Sequence, residues 1–168
     1  MAKQSKQDLE DWYSKTDPWG YRDNIDDKNR KQIILDALNP YAPFKRALDI
    51  GAGEGFITED LPAKEIEAIE ISDNASERFK SHIKRVKKPT GKYDLILLAG
   101  VLYGQYESQE MLDWALEHCD GIIVTCNIKE WEVNPLPTEN MIHCFEFPYR
   151  TYIQSLKVYK CPLPSFTE

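Results

Sequence analysis

Three glycines at alternate positions, Gly51, Gly53 and Gly55, follow directly after residues 46–50, a short run in which Ala47, Leu48 and Ile50 are apolar. A run of this length predicts a buried strand, and the glycines predict a tight turn because they adopt backbone angles that other residues avoid. Residues 56–61 then predict a brief helix. A strand that turns through glycines into a helix leaves backbone N–H groups open to a ligand. The alternative is a tight connection that binds nothing.

Strand and helix patterns alternate through the rest of the chain. Buried or alternating apolar residues predict strands, and apolar residues that recur every three or four positions predict helices. The pairs Asn134-Pro135 and Leu136-Pro137 argue against a long helix before the last two strands. Further strands are expected at residues 65–71, 93–99, 121–127, 141–147 and 152–160, and helices at residues 28–38, 72–83 and 111–119.

This order of elements predicts an α/β fold with a mostly parallel, Rossmann-like sheet that ends in an antiparallel hairpin. The sheet is expected to be shortened between its second and fourth strands, because residues 71–93 leave no room for a full third crossover helix. The length suits a single domain over residues 1–168. Within it we expect an N-terminal arm and helix at residues 1–45 and a core at residues 46–160.

Charge and composition exclude several classes of protein. The 21 Lys and Arg against 28 Asp and Glu give a net charge of −7, which disfavours binding to nucleic acid. The longest apolar runs, at residues 95–102 and 121–126, are far shorter than the roughly 20 residues that span a membrane, and residues 1–10 lack a signal-peptide core. The four cysteines form no C-x-x-C pair, so we expect no metal site. These features predict a cytoplasmic protein with no nucleic-acid or membrane partner.

Two acidic residues accompany the glycine turn. Asp49 precedes Gly51 by two residues, and Glu70 follows Asp49 by 21 residues, at the end of the next predicted strand. An acid in the position of Glu70 accepts hydrogen bonds from the hydroxyls of a ribose. Asp49 is unsuited to a pyrophosphate but suits the cationic amino group of a methionine. Because the glycine spacing also differs from the G-x-G-x-x-G of dinucleotide enzymes, a nicotinamide-dependent oxidoreductase is disfavoured.

Residues 47–55, 70–72 and 93–102 resemble the first, second and fourth motifs of class I S-adenosylmethionine-dependent methyltransferases. Residues 17–21, with the sequence DPWGY, further resemble the small nodulation protein S family, whose members N-methylate an amino sugar. The resemblance implies the class I methyltransferase fold with S-adenosyl-L-methionine as cofactor. The chain departs from the common pattern at residues 84–88, which are basic where many members have an acid that binds adenine. We therefore expect backbone groups to bind the adenine.

The resemblance also implies which residues bind the cofactor. Trp19 and Tyr21 are expected to close over it, and the backbone near Ala99 and Gly100 is expected to lie at its methionine end. The full expected set is Trp19, Tyr21, Asp49, Gly51, Ala52, Gly53, Gly55, Glu70, Ile71, Ala99 and Gly100.

Methyl transfer from a sulfonium requires orientation and exclusion of water more than acid–base groups. Tyr103, after the fourth strand, and Asn127, at the end of the fifth, are the expected catalytic residues that contact the acceptor. The alternatives are that Tyr103 is a hydrophobic plug and that Asn127 caps its strand. His82, His118 and His143 are each expected to be structural or solvated.

Together these features predict methyl transfer to a small-molecule acceptor. An amine, with an amino sugar as the leading example, is favoured over a hydroxyl because it needs only to arrive unprotonated. The alternative is a non-catalytic module that binds the cofactor and regulates or scaffolds a partner. Residues 1–21 look too polar for the core yet contain several aromatic residues, so we expect a mobile lid. An arm packed permanently on the outer face of the sheet is the alternative.

Overall fold

The computed structural model describes residues 3–133 and 136–161, which form one seven-stranded sheet and four α-helices. None of the described helices is long and apolar enough to cross a membrane. The helices are α1 (Lys6–Trp12), α2 (Ile25–Leu38), α3 (Asp73–Ser76) and α4 (Ser108–His118). The strands are β1 (Phe44–Ile50), β2 (Ala63–Ile69), β3 (Ile83–Arg85), β4 (Tyr93–Ala99), β5 (Cys119–Ile128), β6 (Met141–Tyr149) and β7 (Tyr152–Lys160).

The sheet has the strand order β3-β2-β1-β4-β5-β7-β6. Neighbouring strands from β3 to β5 are parallel, whereas β7 is antiparallel to both β5 and β6. The predicted fold class, a mostly parallel sheet with a C-terminal antiparallel hairpin, is therefore confirmed. Because β1, β2, β4 and β5 are parallel, their carboxyl ends meet at one edge of the sheet, where open α/β sheets bind their ligands.

Helices cover both faces of the sheet at its centre. Leu95 and Leu97 of β4 pack in the cluster to which α2 contributes Ile34. Ile96, between them, points to the opposite face and packs in the cluster to which α4 contributes Leu112. Burial on both faces explains why this strand reads as a continuous apolar run rather than as an alternating pattern.

The crossover from β1 to β2 lacks the predicted helix. Residues 56–61 contain a single 3-10 turn, Thr58–Asp60, so the predicted helix is wrong. Thr58 donates its hydroxyl hydrogen to Oδ2 of Asp49 at 2.7 Å, which turns the segment back towards β1. Since Pro62 follows at once, too few residues remain for a full helical turn.

The helix predicted at residues 72–83 is also wrong in extent, because α3 ends at Ser76. Ile83 pairs with Ile66 as part of β3, so the chain has to leave the helix before it. Phe79 instead packs beside the glycine turn, where its ring would lie 3.1 Å from a Cβ on Gly55. Phe79 and Ile83 therefore have the spacing of a helical face, but Phe79 packs beside the glycine turn and Ile83 pairs in the sheet.

The sheet is shortened between β2 and β4, as predicted. β3 has three residues, and residues 86–92 join it to β4 without a helix. At the other end, β6 and β7 pair from Met141 to Tyr149, which confirms the predicted hairpin. A 3-10 turn, Thr138–Asn140, precedes that hairpin. The pair Asn134-Pro135 lies outside the described residues.

β5 begins at Cys119, two residues earlier than predicted, and its pairing with β4 contains a bulge. At Gly121 the two strands approach so closely that a Cβ would lie 2.0 Å from the backbone oxygen of Asp94. The carboxylate of Asp94 in turn accepts hydrogen bonds from the N–H groups of Lys45 and Arg46, at 2.8 and 2.9 Å. This close approach therefore helps to align β1, β4 and β5.

Gly121→Ala is expected to destabilise the fold by about 2 kcal/mol or more, because the added Cβ would collide with backbone held inside the sheet. Gly91→Ala is the matched control, since a Cβ there would meet only the tip of the Arg46 side chain, at 3.2 Å. Urea unfolding of both variants measures the difference. Equal losses of stability in the two variants would contradict this account of the bulge.

Candidate functional site

A cavity of about 930 Å³ lies at the carboxyl edge of the sheet, between the strand ends and the N-terminal arm. Most of the residues predicted to bind cofactor or acceptor line it. Those that do are Trp19, Tyr21, Asp49, Gly51, Ala52, Gly53, Glu70, Ile71, Ala99, Gly100 and Tyr103. Gly55 and Asn127 are not among its lining residues.

The glycine turn forms one wall of this cavity. Gly51 has a φ of +77°, and a Cβ there would lie 2.3 Å from Cγ1 of Val101, so no larger residue fits without displacing its neighbours. The N–H groups of Gly51 and Ala52 both donate to the carbonyl oxygen of Ile69, at 2.8 and 3.1 Å. The turn is thus folded back onto the end of β2, which brings it next to Glu70.

Glu70 is held in place by two backbone groups. Its Oε1 accepts from the N–H of Gly53 at 2.7 Å, and its Oε2 accepts from the N–H of Ser72 at 2.9 Å. The residue is 8% exposed, and burial raises the pKa of its carboxyl group to about 7. Each carboxylate oxygen has a second lone pair that can accept a hydrogen bond from a ligand.

Asp49 places a second carboxyl group in the same cavity. It is 4% exposed, and burial raises its pKa to about 6, against the opposing effect of the hydrogen bond from Thr58. Its ionised form would be stabilised by a cation in the cavity. Asp49 lies in β1 and Glu70 directly follows the adjacent strand β2, so the two acids lie on either side of the glycine turn in the sequence.

Tyr13 lines the cavity, although the sequence analysis did not assign it to the site. The residue is 6% exposed, and its hydroxyl oxygen would lie 3.1 Å from a Cβ on Gly53. That hydroxyl accepts a hydrogen bond from Nε1 of Trp19 at 3.1 Å. Burial raises the pKa of the Tyr13 hydroxyl group. The one sequence feature that could have indicated a role for Tyr13 is that it is an aromatic residue in a polar segment.

The N-terminal arm is not too polar to contribute to the core, contrary to the prediction. Leu9 and Tyr13 form a small buried cluster with Ala75 of α3. Trp19 and Tyr106 are half-buried against that cluster. The arm therefore has its own apolar contact with the rest of the protein.

Polar contacts fasten the arm on both sides of the cavity. Glu10 accepts hydrogen bonds from the hydroxyl of Ser72 and from the N–H of Asn74, just after β2. Gln4 donates its N–H to the carbonyl oxygen of Gln105, in the loop after β4, at 2.8 Å. The arm thus lies across the carboxyl edge rather than on the outer face of the sheet.

Trp19 and Tyr21 reach the cavity because the arm turns sharply at Asp17. That residue has a φ of +46°, and its carboxylate accepts from the N–H groups of Tyr21 and Arg22 at 2.9 and 3.2 Å. The rings of Trp19 and Tyr21 stack with centroids 6.1 Å apart, and Tyr21 stacks on Phe56 at 6.2 Å. In the sequence DPWGY, Asp17 thus caps the short turn that brings both Trp19 and Tyr21 to the cavity.

Tyr103 presents its ring to the cavity, while its hydroxyl group bonds elsewhere. The hydroxyl oxygen accepts the N–H of Ile128 at 2.7 Å, and the residue is 6% exposed. Burial raises the pKa of this hydroxyl group, which makes it a poor general base near neutral pH. Tyr103 is therefore better placed to form a wall of the cavity than to transfer a proton.

Two predicted site residues have structural positions. Asn127 is fully buried, its Oδ1 accepts from the N–H of Val101 at 3.1 Å, and its Nδ2 donates to Glu132 at 2.9 Å. Its amide therefore holds the loop after β4 rather than facing the cavity. Gly55 has a φ of +86° and faces Phe79, so its role is also in packing. The assignments of Asn127 to catalysis and of Gly55 to cofactor binding do not match these positions.

Four aromatic residues from separate parts of the chain form one surface of the cavity, which we term the aromatic wall. Tyr103 lies 6.4 Å from Tyr106 and 5.9 Å from Trp131, and Trp131 lies 4.7 Å from Tyr152, measured between ring centroids. Trp131 and Tyr152 were missed in the sequence because nothing near them in the chain indicates a site. The ring planes of these three pairs are inclined by 36°, 82° and 59°, so the wall offers a ligand both faces and edges of aromatic rings.

The basic stretch at residues 84–88 contributes Arg85, Val86 and Lys87 to the opposite end of the cavity. Val86 is buried and donates its N–H to the carbonyl oxygen of Ala68 at 2.9 Å. Arg85 donates to the backbone oxygen of Glu70 at 2.8 Å. An apolar side chain therefore lies beside the end of β2, and binding of adenine by backbone groups there stays a prediction.

None of the three histidines lines the cavity. A ring nitrogen of His82 hydrogen-bonds the carbonyl oxygen of Glu59 at 2.8 Å, and Nδ1 of His118 bonds that of Gly91 at 2.7 Å. His143 is exposed on β6. These positions agree with the structural or solvated roles expected for them.

Comparison with solved structures identifies the fold. The N-methyltransferase NodS from Bradyrhizobium japonicum WM9, solved with S-adenosyl-L-homocysteine, matches with a TM-score of 0.80 and 22% identity over 94% of this chain and 98% of that chain. Magnesium protoporphyrin IX methyltransferase from Synechocystis PCC 6803, solved with bound S-adenosylmethionine, matches with a TM-score of 0.70 and 14% identity over 95% of this chain and 98% of that chain.

Comparisons of the sequence with protein-family models and with curated proteins give no match. The likeness is therefore carried by the three-dimensional structure, over nearly the whole of each matched chain. The chain has the fold of the class I S-adenosylmethionine-dependent methyltransferases.

Proposed function

We propose that this protein transfers a methyl group from S-adenosyl-L-methionine to a small-molecule acceptor. The observation that carries the proposal is the pair of buried acids, Asp49 and Glu70, in one cavity with the glycine turn between β1 and β2. Burial raises the pKa of both acids, so each gains from a ligand that favours its ionised form. A cationic ligand with a ribose would favour the ionised form of both acids, because its positive charge would attract Asp49 and its ribose hydroxyls would donate to Glu70.

The residues present fit such a cofactor. Glu70 would accept the ribose hydroxyls, and Asp49 would lie near the cationic methionine end, beside the backbone of Ala99 and Gly100. Ile71 and Val86 offer apolar contacts to the adenine. When bound, S-adenosylmethionine supplies an electrophilic methyl group on its sulfonium. The contribution of the protein is to orient the acceptor and to exclude water.

The aromatic wall is the proposed acceptor site. Tyr103 would contact the acceptor through its ring, because its hydroxyl group already bonds Ile128. Trp131 and Tyr152 extend the same aromatic surface, and the exposed face of such a ring suits the apolar face of a sugar or of another compact ring.

An amine is the favoured acceptor, with an amino sugar as the leading example. Burial raises the pKa of the hydroxyl groups of Tyr103 and Tyr106 in the aromatic wall, so neither would take a proton from a hydroxyl acceptor near neutral pH. An unprotonated amine needs no such base, because its lone pair attacks directly. The matched NodS structure is that of an N-methyltransferase, which supports the same choice.

The first test is ligand binding followed by turnover. Calorimetry should give affinity for S-adenosylmethionine and S-adenosylhomocysteine but not for NAD, and S-adenosylhomocysteine at a hundredfold excess over its Kd should stabilise the fold by about 2.7 kcal/mol. A screen of amines with detection of homocysteine then tests transfer. An unchanged melting temperature with both ligands refutes the proposal, whereas binding without turnover on any acceptor favours the non-catalytic alternative.

Glu70→Gln is expected to weaken S-adenosylhomocysteine binding about 10- to 100-fold, because charge-assisted hydrogen bonds to the ribose become neutral ones. Glu65→Gln is the matched control, since Glu65 lies on β2, which Glu70 directly follows, but is exposed. Isothermal titration of both variants and the parent measures the effect. A loss of folding stability with unchanged affinity would make Glu70 purely structural.

The affinity for S-adenosylhomocysteine is expected to rise between about pH 6 and pH 8. Burial raises the pKa of Glu70 to about 7, so the free protein gains its ionised carboxylate only over this range. The raised pKa also means that the free fold loses stability as the pH rises from the unfolded value through about 7. Titration calorimetry at several pH values measures the binding profile. Glu70→Gln should flatten it, and an equally steep profile in that variant would assign the dependence to another group.

Closure of the arm is expected to depend on the ligand. Hydrogen exchange at residues 12–21 should slow when S-adenosylhomocysteine is added, because Tyr13, Trp19 and Tyr21 gain a surface to pack against. Deletion of residues 1–21 should raise the Kd modestly and lower turnover far more, since the arm excludes water from the cavity. Equal protection with and without ligand would make the arm a fixed wall.

A further inference from the structure

Gln154, in β7, carries a buried amide group beside the cavity. The residue is 2% exposed and is one of the cavity-lining residues. Because β7 is antiparallel to β5, its first residues lie at the carboxyl edge of the parallel strands, and Gln154 pairs there with Ile128, the last residue of β5. Side chains two residues apart on a strand share a face, so Gln154 lies on the same face as Tyr152 of the aromatic wall.

The oxygen end of this amide has a partner within the protein. Oε1 of Gln154 accepts the thiol hydrogen of Cys126, with the oxygen and Sγ 3.4 Å apart. Burial raises the pKa of the Cys126 thiol, so the thiol keeps its hydrogen near neutral pH and acts as the donor. With its oxygen held by Cys126, the amide has the two hydrogens of Nε2 left for another partner.

The nitrogen end finds no acceptor in the described part of the chain. The residues opposite Gln154 on the two neighbouring strands are Ile128 and Phe147, which are apolar. Among the described residues, the side-chain atoms that are fully enclosed without a partner are Nε of Arg30 and Oγ1 of Thr125, so Nε2 of Gln154 borders open space. The open space that Gln154 lines is the cavity, into which Nε2 can therefore donate.

The fold gains little from an amide at this position. A buried N–H group without an acceptor costs free energy, and the hydrogen bond from a thiol is a weak one. A methionine, which is similar in length and wholly apolar, would pack between Ile128 and Phe147 without that cost. A packing role therefore does not account for a glutamine here, whereas a ligand that supplies the missing acceptor does.

The place of Gln154 in the sheet assigns it to the acceptor rather than to the cofactor. Under the proposed function, on which this inference rests, the cofactor extends from Glu70 after β2 to Ala99 and Gly100 at the end of β4. In the strand order, β7 lies two strands beyond β4, which is a distance of about 10 Å. Gln154 is therefore on the side of the cavity where Tyr152 and the rest of the aromatic wall would hold the acceptor.

We propose that Gln154 selects the acceptor by donating a hydrogen bond from Nε2 to one of its oxygen atoms. The nitrogen that receives the methyl group cannot be the partner, because its lone pair has to stay free to attack. The acceptor is then an amine that also carries a hydroxyl or carbonyl oxygen, rather than a hydrocarbon amine. An amine without that oxygen would leave the buried donor unpaired, which is how a polar group in a pocket rejects an apolar analogue.

The test compares amines that differ by one oxygen, in the full-length protein with S-adenosylmethionine. The probes are the three positional isomers of aminocyclohexanol, each against cyclohexylamine, because the isomers place the oxygen at different distances from the amine. The parent should prefer at least one isomer over cyclohexylamine by about 10- to 100-fold in kcat/KM. Gln154→Met should lose this preference, with kcat/KM for cyclohexylamine unchanged or higher.

The matched control is Gln32→Met, which makes the same change on the exposed side of α2, where the Gln32 amide donates to Asp36 at 2.8 Å. This variant should keep the preference of the parent. Gln154→Leu is a second variant at the tested position and should behave as Gln154→Met does. Neither change at Gln154 should alter the affinity for S-adenosylhomocysteine by more than about twofold, since the residue lies about two strands from β4.

The outcomes separate this inference from the proposed function. If the parent binds S-adenosylhomocysteine but shows no preference for any oxygen-bearing isomer, or if Gln154→Met retains the preference, the inference is wrong and the proposed function stands. A loss of S-adenosylhomocysteine affinity in both Gln154 variants would overturn the assignment to the acceptor. If the parent binds neither S-adenosylmethionine nor S-adenosylhomocysteine, the proposed function is wrong as well.

Discussion

The close packing of the glycine turn against the ends of β2 and β4 is the constraint on which the site depends. Gly51 can approach Val101 only because it has no side chain, and this approach lets the turn donate two N–H groups to Ile69. The next N–H group in the series, that of Gly53, then reaches Glu70. One backbone conformation thus sets the wall of the cavity and fixes its acidic residue at the same time.

The cavity concentrates charges that the protein does not neutralise by itself. Asp49 and Glu70 have raised pKa values because they are buried, and Arg30 has no acidic partner within ion-pair distance among the described residues. On the same edge, Asp27 shows the usual solution, in which a buried carboxylate is paired with Arg150. Burial disfavours the ionised forms of the two acids, so a ligand that stabilises their carboxylates would gain affinity.

The sequence predicted the parts of this fold that depend on local pattern. β4 matches its predicted bounds, Tyr93–Ala99, because a strand buried on both faces is apolar from end to end. Local pattern failed where tertiary pairing decided the outcome: Ile83 has helical spacing from Phe79 but pairs with Ile66 in the sheet. Asn127 was correctly placed at a strand end, yet the contact of its amide with Val101 depends on a loop 26 residues away.

The shortened crossovers explain why the arm belongs to the site. With a 3-10 turn after β1 and no helix between β3 and β4, little of the chain remains above the carboxyl edge to enclose a ligand. The arm occupies that space, with Tyr13 beside Gly53 and Gln4 bonded to the loop after β4. Its own buried cluster, Leu9 and Tyr13 with Ala75, is small, so this cover can open at lower cost than a part of the main core. Under the proposed function, the arm would cover the bound cofactor and open to admit the acceptor.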